Sequence, residues 1–241
     1  MSDSHEPDYS RHYQKFHDDS DSHFVTMRAE FAATLAPYLP QDKNAGILEI
    51  GAGMGFALAA LHHLGYRNIC GIDSDRSQVA ASQRRGFPVT LVPPSETAVF
   101  LAPRKATLDL VLAFDVLEHV PVPEQIGFLT GIRNALRSGG RFVCRVPNAS
   151  SPLASHYRFI DWTHTCAFTV TSLDFVLYSS GFREIEIKEA TPNHMRPSLR
   201  QWALRAVFRG AHRLALATDL SWSDAKATNV SEHHRNCLLA I

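Results

Sequence analysis

The stretch LEIGAGMGFALAALHHLG, residues 48–65, decides how this chain reads. Alternate glycines, Gly51, Gly53 and Gly55, stand between a strand-forming run and a helix-forming one. Glycine weakens the interior of either element, so a cluster at their junction marks a backbone that turns tightly or admits close approach. In an open parallel sheet, the first strand-to-helix turn lies outside the carboxyl ends of the strands, where ligands bind. The glycines therefore point to a nucleotide-like cofactor.

Outward from this turn the chain alternates. AGILEI (45–50), NICGID (68–73), VTLV (89–92), LDLVLAF (108–114) and GRFVCRVP (140–147) are short, nearly continuous apolar runs, as central strands buried on both faces require. Helical periodicity occupies 56–64, 75–85 and 123–137, the last closed by Gly139 and Gly140. Strand, helix, strand, helix predicts a parallel sheet with helices on both faces. Further on, TVTSLDFVLYSSGF (169–182) predicts a helix begun by Thr171 with Asp174 at the capping-box position. REIEIKE (183–189) and NCLLAI (236–241) then read as two closing strands separated by a long insertion. The expected fold is an α/β, Rossmann-like, doubly wound sheet of seven strands, mostly parallel with a final antiparallel strand. Residues 1–40 form a polar leader and a capping helix within FVTMRAEFAATLAPYL (24–39), and 41–241 form the cofactor-binding domain, with a basic helical insertion near 191–230.

Composition narrows the function. The 241 residues are 45% hydrophobic and 20% charged, enough for one sizeable core. Lys plus Arg equals Asp plus Glu at 24 each, so no global field argues for a nucleic-acid partner. Cys70, Cys144, Cys166 and Cys237 are widely spaced with no C-x-x-C pair, which fits reduced thiols in a cytoplasm. The polar, acidic N-terminus carries no apolar signal core, and no apolar run is long enough to span a bilayer.

The dinucleotide fingerprint needs a small residue three positions after its second glycine, and Phe56 stands there, which disfavours a pyrophosphate and with it a nicotinamide-dependent oxidoreductase. The chain offers E-x-G-x-G-x-G instead, with Glu49 in the first strand and Asp73 ending the second. A carboxylate at the second position can accept from both ribose hydroxyls, and an anionic site suits a cofactor that lacks phosphates and carries a positive charge. ILEIGAGMGFAL, GIDSDRSQV, LDLVLAFDVLEHV and ALRSGGRFVCRVPN resemble, in order and spacing, successive motifs of the class I S-adenosylmethionine-dependent methyltransferases. That resemblance covers about residues 45–150 and implies a domain that binds S-adenosylmethionine and releases S-adenosylhomocysteine. It also implies that the Gly51, Ala52, Gly53, Gly55 turn lies against the methionine portion, oriented by Glu49. Asp73 would bind the ribose, Ser74 would flank the adenine, and Phe114 and Asp115 would line the donor pocket. Where the family often has an acid for the adenine amino group, this chain reads LVPPSETAVFL, with Ser95 or Glu96 in its place. Asp75 reads as a helix cap rather than a ligand.

On the acceptor side, two histidines follow predicted strands: His119 in DVLEHVP and His164 in RFIDWTHTCAFT. Asp161 precedes His164 by three residues and is expected to orient it as the base that deprotonates a hydroxyl. The segment 147–182 resembles that of methyltransferases acting on sugars and cell-surface glycans, with Tyr157, Arg158 and Trp162 suited to a polyhydroxylated or phosphorylated acceptor. No carboxylate-histidine set has convincing metal spacing, although Asp161 and His164 could contribute two ligands. Residues 196–213 form a basic amphipathic segment whose stripe of Leu199, Trp202, Ala203, Ala206 and Val207 suits packing on the domain or a twin subunit, ahead of a membrane-surface role. The expectation is O-methylation of a small molecule, sugar or glycan by a cytoplasmic enzyme. Its rivals are N- or C-methylation, a nicotinamide-dependent oxidoreductase and a non-catalytic cofactor-binding module.

Overall fold

A computed structural model describes residues 12, 13, 15, 17–151, 153–190, 206, 207, 210 and 237–241, the side chains of 189 and 237–239 excepted. Most of the polar leader, and all but Ala206, Val207 and Gly210 of the expected basic segment, lie outside the described residues; Ala206 and Val207 are exposed. Cα packing divides the chain into two units, one running through Phe114 and including Gly131–Phe142, the other comprising Asp115–Thr130 and the residues from Val143 onward.

The first unit is built on strand β1 (Ile47–Ile50), all four residues of which are buried. It pairs in parallel with β2 (Ile69–Asp73) on one side and β4 (Leu108–Phe114) on the other, and β2 pairs in parallel with β3 (Val89–Leu91). All seven residues of β4 are buried too, which is why both runs read as unbroken apolar stretches rather than alternating ones. The strand order β3-β2-β1-β4 puts the first strand inside the sheet, with the chain winding outward on each side of it. Helices α1 (Asp21–Leu35), α2 (Phe56–His63), α3 (Arg76–Arg84) and α4 (Thr97–Leu101) alternate with these strands. Ser20 caps α1 by accepting from the His23 N–H, and Asp75 caps α3 by accepting from those of Ser77 and Gln78. A buried cluster of Phe24, Met54, Phe56, Ala59 and Ala81, flanked by Tyr13, Met27, Phe31 and Phe87, joins α1, α2 and α3. Phe56, whose bulk argued against a dinucleotide, is therefore a core residue.

Helix α5 (Gln125–Ala135) and strand β5 (Leu136–Pro147) run from one unit into the other. The helix stops two residues short of the expected 137, and Gly139, with φ +74°, and Gly140 lie within the strand instead of closing the helix. A Cβ on Gly140 would stand 3.0 Å from the carbonyls of Arg137 and Leu108, so a side chain there would require the backbone to give by a few tenths of an ångström.

In the second unit β5 pairs antiparallel with β7 (Cys237–Ala240), and β7 pairs antiparallel with β6 (Ile187–Glu189). Strand β6 is shorter than the expected 183–189 because Glu184, at φ +57°, interrupts the extended backbone. Helices α6 (Ala154–Phe159) and α7 (Val170–Ser179) complete the unit. The cap of α7 corrects the sequence reading: Thr169, not Thr171, accepts from the Ser172 N–H, and the Ser172 side chain accepts from the Thr169 N–H in return. Among the described residues no helix is long and apolar enough to cross a membrane.

Gly71, in the middle of β2, tests this packing. A Cβ there would meet the Ala52 Cβ at 2.6 Å, Leu58 Cδ1 at 3.1 Å and Val89 Cγ2 at 3.3 Å. Gly71→Ala is expected to lower stability by about 1–3 kcal/mol through overpacking, read as a lower urea midpoint at unchanged slope. An unchanged midpoint would mean that the turn carrying Ala52 yields.

Candidate active site

The first unit presents the glycine turn. Chain direction changes immediately after β1, where the N–H groups of Gly51 and Ala52 both donate to the Ile72 carbonyl, at 2.9 and 3.0 Å. Gly51, Gly53 and Gly55 all take left-handed φ values, 71°, 52° and 85°, a region that L side chains avoid. Packing adds a second reason at Gly55, the N-cap of α2, where a Cβ would lie 2.5 Å from Ser82 Oγ on α3. Gly53 sits under Tyr13, whose hydroxyl would be 3.0 Å from an added Cβ. Gly51 is exposed, while Ala52, Gly53 and Gly55 are buried.

Two carboxylates stand behind this turn. Asp73 Oδ2 accepts from the Gly53 N–H and Oδ1 from the Asp75 N–H, both at 2.8 Å, so one side chain ties the β1–α2 loop to the β2–α3 loop. Burial raises its carboxyl above the ordinary aspartate range, partly offset by the N–H groups of Asp75 and Gly53. Glu49 is 3% exposed, and its Oε2 has no hydrogen-bond partner among the described residues. Burial, and then the charge of Asp73, push its carboxyl well above the ordinary value, against a hydrogen bond from the Leu58 backbone. Ser74 is exposed next to Asp73, and Ser95 and Glu96 are exposed in the short turn Pro94–Glu96. Phe114 is buried, its ring edge-on to Phe31 at 5.4 Å.

The second unit holds the residues expected on the acceptor side. Asp115 follows β4 with φ +56°, and its carboxylate is gripped by Arg145, whose Nε donates to both oxygens at 3.0 and 3.1 Å and whose Nη2 pairs with Oδ2. The Thr165 N–H and hydroxyl donate to the Glu118 carbonyl at 2.7 and 2.9 Å, fastening the 161–165 loop to the 117–120 turn. That juxtaposition stands the rings of His119 and His164 edge to face, with centroids 4.7 Å apart. Tyr157 and Arg158 belong to α6, and Arg158 donates to the Thr165 carbonyl at 2.9 Å. Trp162 is 93% exposed.

Asp161 does not orient His164 as expected from their spacing. Its Oδ1 accepts from the Thr163 N–H and hydroxyl, at 2.8 and 2.7 Å, and Thr163 Oγ1 in turn lies 2.8 Å from His119 Nδ1. Because the hydroxyl proton points to Asp161, Thr163 Oγ1 accepts from His119, whose proton therefore sits on Nδ1. His164 Nδ1 lies 3.0 Å from the Tyr157 carbonyl, an acceptor only, so it too carries a proton, and its Nε2 faces Glu118 Oε1 at 4.0 Å. Three residues of separation in a loop place Asp161 at the start of an Asx-type turn over its own Thr163 instead.

Glu118 and Thr163 are the site residues that sequence reasoning passed over. Glu118 is fully buried, neither carboxylate oxygen has a hydrogen-bond partner among the described residues beyond its own backbone N–H, and burial pushes its carboxyl well up, with Asp115 adding to the effect. An acid set among apolar residues was the available signal, as it was for Glu49, although Glu49 lies within a strand and Glu118 in the turn after one.

With this geometry in view, the comparisons with known proteins agree on a family. A family model described as a methyltransferase domain matches residues 24–187. No curated protein matches the chain. Among solved structures, an S-adenosylmethionine-dependent methyltransferase from Archaeoglobus fulgidus superposes with a TM-score of 0.66 at 20% identity, over 97% of this chain and 98% of that one. A second, from Mesorhizobium loti, gives 0.56 at 19%, over 88% and 96%. A Haemonchus contortus phosphoethanolamine N-methyltransferase, in complex with phosphomonomethylethanolamine and S-adenosylhomocysteine, gives 0.58 at 15%, over 98% of this chain and 60% of that one. The chain belongs to the methyltransferase-domain family and is a class I enzyme of Rossmann-like α/β fold with S-adenosylmethionine as methyl donor.

The buried carboxyl of Glu49 makes a pH-dependent prediction. A folded-state pKa above the unfolded one contributes stability that is complete below the unfolded pKa and is lost as pH rises through the folded value. Glu49→Gln carries no such loss. Measured by urea unfolding without cofactor, the variant should gain on the wild type as pH rises above the ordinary glutamate range; a gap that stays constant would contradict the raised carboxyl.

Proposed function

We propose that the enzyme transfers a methyl group to a hydroxyl of a small-molecule, sugar or glycan acceptor. S-adenosylmethionine supplies a methyl already activated on a sulfonium, so the protein has to bind, orient and dehydrate the partners and help an acceptor oxygen lose its proton. In this reading Gly51, Ala52, Gly53 and Gly55 hold the methionine portion, Asp73 the ribose, Ser74 with Ser95 or Glu96 the adenine, and Phe114 and Asp115 the donor pocket. Support comes from Asp73, each oxygen of which spends one acceptor site on a backbone N–H and keeps a second for a hydroxyl. The orphaned Glu49 Oε2 and the left-handed turn fit a cationic cofactor without phosphates. The domain is read as 41–241 behind a leader and capping helix, on a seven-stranded sheet whose closing strand is antiparallel, in keeping with the β5–β7 and β7–β6 pairings.

The observation that carries the hydroxyl acceptor is the pair of imidazoles in the second unit. Both His119 and His164 are held with the proton on Nδ1, which turns Nε2 to the acceptor task, and Asp161 positions His119 through Thr163. Tyr157, Arg158 and the exposed Trp162 offer the stacking and hydrogen-bonding surface that a sugar needs. Three free cysteines among the described residues fit a cytoplasmic setting, the balanced charge argues against nucleic acid, and the 196–213 stripe suits a twin subunit ahead of a membrane. N-methylation is the second reading, favoured by the likeness to the Haemonchus contortus phosphoethanolamine enzyme.

Calorimetry should show micromolar binding of S-adenosylmethionine that Asp73→Ala abolishes. Affinity should rise with pH, and more steeply for S-adenosylmethionine than for S-adenosylhomocysteine, because the extra positive charge favours the ionised carboxylates whose protons burial retains. Parallel pH profiles for the two ligands would remove these carboxylates from the cofactor site. Labelled-methyl transfer to nucleotide sugars and glycans, but not to phosphoethanolamine, is the expected acceptor result; the reverse would establish the nitrogen reading.

A further inference from the structure

We propose that Glu118, His119 and His164 form a binding site for a divalent first-row transition cation. One ligand atom from each residue lies within 4.8 Å of the others. The sequence offered no such set, because Glu118 and His119 are adjacent and the third ligand arrives from the loop after β5. The site reaches past the methyl-donor chemistry, which requires no metal, and its binding rests on the second unit's geometry alone.

Three observations converge on an ion. The first is Glu118, a fully buried carboxylate that, its own backbone N–H aside, has no hydrogen-bond partner on either oxygen among the described residues, and that faces the imidazoles. Burying an ionised carboxylate without a partner is costly, and a cation bound to it removes that cost. Arg145, the guanidinium beside it in charge terms, is committed as a fork to Asp115. The second is spacing. At 4.0 Å, Glu118 Oε1 and His164 Nε2 are too far apart for a hydrogen bond, yet within the span of two ligands on one ion, each about 2.1 Å from it.

The third is how the rings are held. A metal-binding histidine characteristically donates its other N–H to a carbonyl or carboxylate, which fixes the tautomer and raises the basicity of the ligating nitrogen. His164 does so to the Tyr157 carbonyl. His119 does so to Thr163, which passes the polarisation on to buried Asp161. Both arrangements make Nε2 the ligand atom. Two imidazoles and one carboxylate suit iron, cobalt, zinc or manganese, whereas calcium and magnesium prefer sites built from oxygen alone. Three protein ligands also leave positions for water or an acceptor oxygen, as catalytic metal sites do. A hydroxyl bound there becomes more acidic; with both Nε2 atoms engaged as ligands neither imidazole serves as base, so the proton leaves to solvent water as the oxygen bonds the methyl, the C–S bond of the sulfonium breaks and S-adenosylhomocysteine departs. That use, unlike the binding itself, rests on the proposed hydroxyl acceptor.

The test uses the full chain, stripped with a chelator and titrated with Co²⁺ or Mn²⁺ in the absence of cofactor and acceptor. Visible d–d absorption should saturate at one equivalent of Co²⁺, and the spectrum of free Mn²⁺ should be quenched with the same stoichiometry. Glu118→Gln and His164→Gln should each weaken binding at least about tenfold, and Thr163→Val, which strips the support from His119, by about 10–100-fold. Circular dichroism verifies folding of each variant, and His164→Gln decides alone if Glu118→Gln does not fold. The chain has 13 His, so binding that persists at wild-type affinity in His164→Gln belongs elsewhere and overturns the proposal. Absence of saturable binding by the folded wild type overturns it equally. Calorimetry with S-adenosylmethionine on the same samples should be unaffected by these substitutions, which separates failure of the metal site from failure of the methyl-donor reading.

Discussion

Everything at the donor end depends on the Asp73 carboxylate. Its two oxygens bind the N–H groups of Gly53 and Asp75, residues of two different strand-to-helix loops, and hold the carboxyl ends of β1 and β2 in a fixed relation. These are charge-assisted bonds in a largely buried place, worth roughly twice their neutral equivalents. The alternate glycines are the other half of the same device. Left-handed backbone at Gly51, Gly53 and Gly55 is what turns the Gly53 N–H toward the neighbouring strand. A side chain at these positions would add strain and, at Gly55, displace α3 through Ser82. The turn is thus shaped as much by what packs behind it as by what binds in front.

The second unit solves its polar problem differently. Hydrogen bonds from Thr165 to the Glu118 carbonyl bring together two loops separated by more than 40 residues of chain. Around that clasp each polar group is handed on to the next: Arg145 to Asp115, Asp161 to Thr163, Thr163 to His119, Tyr157 to His164. The Glu118 carboxylate stands outside this sequence of partners. Buried polar networks are stable when every member is satisfied, so an exception that stands alone among the described residues of this unit carries more information than an exposed acid would.

How far the sequence could be read follows from the range of the interactions involved. Strands β1 and β4 were legible because burial on both faces leaves an unbroken apolar run, and Asp75 was legible as a cap because its partners lie two and three residues away. The failures lie where local signals compete or where a contact is distant. Thr169 and Thr171 both offer a capping hydroxyl, and the reciprocal bonds between Thr169 and Ser172 decide between them. The expected Asp161–His164 pair was plausible by spacing, but a turn closing on Thr163 was the nearer alternative. Nothing local marks Glu184 as left-handed, or reveals that the Leu108 carbonyl crowds Gly140. Glu118 was missed because its meaning lies in a histidine 46 positions further along the chain, and no periodicity encodes that distance.

The hydroxyl of Tyr13 above Gly53 extends the glycine turn well beyond its motif. Tyr13 lies tilted against His17, which meets Phe56 at the start of α2, so an aromatic chain runs from the N-terminal segment into the core behind the turn. Residues of the polar leader therefore share a physical constraint with the methyl-donor loop. A shortened chain beginning at the first strand would retain every glycine of the motif and lose the phenol that roofs them.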